Sequence, residues 1–122
     1  GLSLIEVLVS MVILAGVLLA MARFGAALAH TSGTARITAT AAQLVADRLE
    51  TVKTAPSYAA IESLYVAMES NPTGYSGYTR NTAVLRIGGE PTDSIDYKIV
   101  TVEVTHAGLD RAVRKSTVIA PF

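Results

Sequence analysis

Between Leu2 and Ala22 the chain carries one ionisable side chain, Glu6, and its first cation is Arg23. As a helix this run is about 30 Å long, the thickness of a bilayer's hydrocarbon core. It is apolar on every side, which suits lipid or burial among other helices and not the surface of a water-soluble domain. Glu6 is the anomaly. An ionised carboxylate in hydrocarbon costs several kcal/mol unless it finds a partner. Two readings follow. Either Glu6 stays at the membrane interface, in the first turns, where the helix dipole favours negative charge, or it meets a cation from outside its own helix.

Composition narrows the rest. Of 122 residues, 51% are hydrophobic and 16% charged, against about 25% charged in an ordinary soluble domain. The formal net charge is zero, so no global field draws the chain to nucleic acid. There is no cysteine, which excludes disulfides and thiolate metal sites.

No proline precedes Pro56, so one long helix is expected from Leu2 to about Thr54. Residues 1–30 form its apolar half and residues 31–54 an amphipathic half. In the latter Ala41 or Ala42, Val45, Leu49 and Val52 recur at helical spacing, with Arg36, Gln43, Asp47 and Glu50 opposite. Gly16, Gly25 and Gly33, the last within the Thr31-Ser32-Gly33-Thr34 run, mark the zone where the helix is expected to melt most readily, since each interior glycine costs about 1 kcal/mol against alanine. Gly16 and Gly25 equally suit close helix packing.

Residues 55–82 read as a connector, with a short helix inside Ser57–Met68 and loops at Asn71–Gly74 and Tyr75–Tyr78. Residues 83–122 read as antiparallel sheet. A short strand covers Thr82–Ile87, Tyr97–His106 alternates Val100, Val102, Val104 against Thr101, Glu103, Thr105, and Ala112–Ala120 returns after a turn at Ala107–Asp110. Placing Glu103 opposite Arg114 pairs opposite charges, worth roughly 0.2–1 kcal/mol. That register sets Val104 against Val113 and leaves Lys115 opposite Val102. Three strands with short links make a meander, and the amphipathic half-helix is the natural cover for its apolar face.

The sequence shows no catalytic pattern. His30 and His106 lie in different elements, and no metal-binding histidine pair, nucleophile elbow or phosphate loop occurs. Glu90, Asp93 and Asp96 cluster near a turn and read as a solvated loop ahead of a calcium site. Tyr75 and Tyr78, beside glycines in the connector, are candidate subunit contacts, because tyrosine offers a large contact area with a polar end; core filling is the competing reading.

The opening Gly1-Leu2-Ser3-Leu4-Ile5-Glu6, followed by the apolar run, resembles the processing region of bacterial type IV prepilins and type II secretion pseudopilins. The resemblance in detail covers residues 1 to about 24. It implies an α+β, lollipop-shaped subunit: a long N-terminal helix packed on a small three-stranded antiparallel sheet. It implies that a prepilin peptidase cuts after Gly1 and methylates Leu2, and that Glu6 matches the family's glutamate, which pairs between subunits. The implied protein is a structural filament subunit and not an enzyme, with no cofactor and no metal. It would be held in inner-membrane lipid and then polymerised with identical copies by inner-membrane assembly machinery into an extracellular filament. Major pilins often carry a proline about twenty residues into the mature helix and a C-terminal disulfide loop. This chain has neither, which favours the minor-pilin and pseudopilin branches. A single-pass anchored binding module is the alternative from another class.

Overall fold

The computed structural model describes residue 1 and residues 3–122. Its elements run α1 (Leu4–Lys53), α2 (Ala60–Tyr65), β1 (Ala67–Ser70), β2 (Tyr78–Gly88), β3 (Asp96–His106) and β4 (Val113–Ile119). Contacts divide the chain into two units, Gly1–Ala35 and Arg36–Phe122.

The first unit is the leading part of α1. Ser3 caps it: the Glu6 main-chain N–H donates to the Ser3 hydroxyl at 3.3 Å, the first half of a Ser-x-x-Glu capping box. Outside any filament, where the melting is expected, α1 runs as continuous helix through Gly16, Gly25 and Gly33. The hydroxyls of Thr31 and Thr34 donate to the carbonyls of Ala27 and His30, so this polar run satisfies itself within the helix.

The second unit holds the core. Ala41, Leu44, Val45, Leu49 and Val52 of α1 are buried against Val100, Val102 and Val104 of β3, with Ile61 and Ile119. The predicted stripe is therefore the packing face, and Leu44 joins it. Each fully buried valine or leucine contributes about 1.5–3 kcal/mol, which is what holds this half of α1 on the sheet.

The fold is α+β as expected, but the sheet has four antiparallel strands in the order β1-β2-β3-β4, where three were read from the sequence. The expected helix inside Ser57–Met68 ends at Tyr65, and its last residues enter β1. The strand expected at Thr82–Ile87 spans Tyr78–Gly88. The β3–β4 register is the predicted one: Glu103 opposite Arg114, Val104 opposite Val113, Val102 opposite Lys115. Arg114 Nε donates to Glu103 Oε2 at 2.8 Å. Lys115 is tolerable on the helix-facing side because β4 is an edge strand that α1 covers only in part. A groove of about 390 Å³ stays open there, lined by Ala46, Leu49, Glu50, Lys53, Lys115 and Thr117.

Candidate functional site

The first unit presents an unpartnered surface. Leu4, Ile5, Met11, Val12, Ile13, Leu18, Leu19 and Phe24 are all exposed. Among the described residues, α1 is the one helix long and apolar enough to cross a membrane, and its most apolar stretch buries nothing within the chain. A surface of this kind is stable only in lipid or against other helices. The Ser10 hydroxyl donates to the Glu6 carbonyl at 2.8 Å, so the main chain around Glu6 is satisfied. No hydrogen bond or ion pair reaches the Glu6 carboxylate among the described residues. Gly16, Gly25 and Gly33 lie in α1 with open space where a side chain would stand. Gly1 is exposed, and Leu2 lies outside the described residues.

The tyrosines of the connector sit closer to the core than loop residues do. Tyr75 and Tyr78 are half-buried, pack on the core cluster and meet edge to face at 6.4 Å. Tyr78 also lies over the His106 ring at 4.4 Å. Each ring thus has one face committed to the core and part of its surface free. His30 is exposed on α1, and His106 Nδ1 accepts from the Gly108 N–H.

Two polar networks that sequence reasoning missed tie the helix and connector to the sheet. In the first, Glu69 of β1 receives Arg80 Nε at 2.7 Å and Arg48 of α1. The bond from Arg80 holds the Glu69 carboxyl below the usual range, burial opposes this, and Arg48 adds to the lowering. In the second, the Tyr58 hydroxyl donates to Asp96 Oδ1 at 2.9 Å, and Arg86 grips Asp96 with two bonds of 2.9 and 2.7 Å. Arg86 holds the Asp96 carboxyl down, with Tyr58 adding to the effect. Burial raises the Tyr58 phenol, and the bond to Asp96 raises it further. Lys98, only 2% exposed, donates to the Tyr58 carbonyl at 2.8 Å and lies 4.4 Å from the centre of the Tyr58 ring, a cation–π placement.

The signal for these residues was present in part. Arg80 and Lys98 occupy inward positions of strands, where a charge must find partners. Donors and acceptors in both networks are turned on each other, which makes them attachments and leaves no nucleophile–base pair aimed at open space. Asp96 is held by Arg86 and Tyr58, so the acidic turn does not converge. No group of three or more histidine, aspartate or glutamate side chains that would hold a metal ion occurs among the described residues.

Comparison with protein-family models, with curated proteins and with solved structures finds no match.

Proposed function

We propose that this chain is the structural subunit of a type IV pilus-like filament. The observation that carries the reading is the first unit: a capped, continuous helix that, among the described residues, buries none of its apolar side chains and places one unpaired carboxylate near its start. Such a segment waits in the inner membrane and exchanges lipid for neighbouring helices on assembly. Adhesion of helix to helix in that setting depends on packing and on the pairing of buried polar groups. Glu6 supplies one such group. Within α1 no lysine or arginine stands before Arg23, so the helix does not supply the cation itself, and the N-terminal amine of a neighbour, exposed by processing after Gly1, fits. The pairing rewards only a neighbour at the correct stagger. The second unit would form the filament's outer shell, with Tyr75 and Tyr78 offering their free faces to adjacent subunits. Prepilin peptidase and an inner-membrane assembly machine are the partners, and no enzymatic activity is assigned.

The unbroken, proline-free α1 favours a second placement in the same class, a minor pilin or type II secretion pseudopilin. The fraction of purified filament mass made of this chain separates the two.

The test exploits the capping geometry. Glu6→Gln keeps the capping capacity of the third helical residue and removes the charge, whereas Glu6→Ala removes both. Both variants are expected to remain in the membrane and to be depleted from sheared filaments. Breaking a buried ion pair costs about 3–5 kcal/mol, enough to abolish incorporation. Normal filament content for Glu6→Gln would return the residue to a purely interfacial role.

A further inference from the structure

Two surfaces of the second unit, one carrying a free lysine and one carrying two carboxylates, stand open to solvent. One is the open groove between α1 and the edge strand β4. It carries Lys115, exposed on the helix-facing side of β4 and engaged by no anion among the described residues, and Lys53, whose ammonium is shared with Glu50 at 2.8 Å. The groove's floor is apolar, made by Leu49 and Ala46. The other surface is the loop Gly89–Ile95 between β2 and β3. All seven residues are exposed. The loop is closed on itself by bonds from the Gly89 N–H to the Ile95 carbonyl, from the Asp93 N–H to the Glu90 carbonyl, and from the Glu90 N–H to Asp93 Oδ2. It therefore presents two carboxylates and one large apolar side chain, Ile95, 56% exposed, in a compact projection.

Charge and polarity match: the free Lys115, beside the Lys53–Glu50 pair and over an apolar floor, and two carboxylates beside an isoleucine. The loop cannot serve its own groove. It leaves β3 at Asp96, six residues from Val102, the residue opposite Lys115, and six strand residues span about 20 Å.

We propose that the Gly89–Ile95 loop of one subunit docks in the Lys53–Lys115 groove of the next. Groove and loop are different patches of one chain, so the contact is heterologous and propagates instead of closing into a dimer. It rests on the filament reading above and gives that reading a register in the outer shell. One such contact is small and rim-exposed, and it gains its strength from being repeated beside packed helices. Neutrality of the whole chain accompanies it: the same sequence supplies both signs.

The absence of native cysteine gives a clean background for the test. The full chain carrying both Asp93→Cys and Lys115→Cys, assembled and treated with a short bismaleimide, is expected to give a ladder of covalent dimers, trimers and longer species. Either single variant is expected to give no ladder. Lys115→Glu is expected to lower filament yield about tenfold or more, because like charges then face each other, as is Asp93→Lys, and the two changes together are expected to restore it. Filaments of normal yield that give no ladder would overturn the contact and leave the filament reading intact. So would cross-linking of Lys115→Cys to another protein in place of a second copy. A wild-type chain that never polymerises would overturn both, and wild-type assembly is scored first.

Discussion

The Lys98 ammonium lies 2.8 Å from the main-chain carbonyl oxygen of Tyr58, forty residues earlier in the chain. This bond anchors the connector to the centre of the sheet. The side chain stands on the inward face of β3 in line with Val100, Val102 and Val104, and Glu62 approaches its ammonium at 3.4 Å. Lys98→Ala removes the charge and the stem and leaves the Tyr58 carbonyl without its donor. The expected loss is about 2–3 kcal/mol. Lys98→Met keeps the packing of the stem and is expected to cost less, about 1–2 kcal/mol. Urea unfolding of the full chain in detergent, followed by tyrosine fluorescence, measures both.

Glu69 lies between two guanidiniums. Glu69→Gln leaves Arg48 and Arg80 close together without their shared counter-charge. The pair sites are largely buried, with arginine side chains 13% exposed, but Glu69 is 34% exposed, so solvent screening reduces the penalty to about 1–2 kcal/mol. A double-mutant cycle with Arg48→Met is expected to give a coupling of about 1 kcal/mol. Additive effects would show that the two side chains touch without stabilising each other.

The shifted groups define a plateau of stability against pH. Asp96 and Glu69 have folded values below their ordinary ones. Their contribution is whole above about pH 4 and is lost as the pH falls through the lowered values. Tyr58 has a folded value above its ordinary one. Its contribution is whole below about pH 10 and is lost as the pH rises through the raised value. The unfolding midpoint in urea should fall on both sides of that window. Glu69→Gln should flatten the acid limb and Tyr58→Phe the alkaline limb. Unchanged limbs in these variants would assign the titration to other groups.

Two glycines with similar backbones should respond differently. Gly88 and Gly74 have φ of +76° and +84°, a region that side chains resist. An added Cβ at Gly88 would collide with the Ile95 carbonyl oxygen, whereas at Gly74 it meets open space. Gly74→Ala should cost about 1 kcal/mol and Gly88→Ala clearly more. Equal midpoints in thermal melts would show that the β2–β3 turn yields without cost.

What the sequence revealed, and what it concealed, has a common cause. The buried stripe of α1 and the Glu103–Arg114 register were legible because apolar period and opposite charge both point to them. The first strand and the opening of the second were not. β1 is four residues long, and its inward neighbour of Arg80 is Glu69, so neither strand shows apolar alternation at that point. Lys98 breaks the pattern of β3 in the same way, though the surrounding valines carried the reading. An inward charge looks like a surface residue until its partner is known, and the partners here lie 11, 21 and 40 residues away. For the first unit the sequence sufficed for the helix and its length. What covers that helix belongs to its surroundings, and no residue pattern within one chain records it.

Among the described residues, the twelve core hydrophobics run from Ala41 to Ile119. The core of the second unit therefore takes no buried side chain from residues 4–35. A mutational scan scored by thermal stability would find nearly every substitution before Ala35 silent. A scan scored by what the chain joins would find that segment among the most sensitive in the protein. Mutations there would surface as failures of company, in a protein whose own fold is intact.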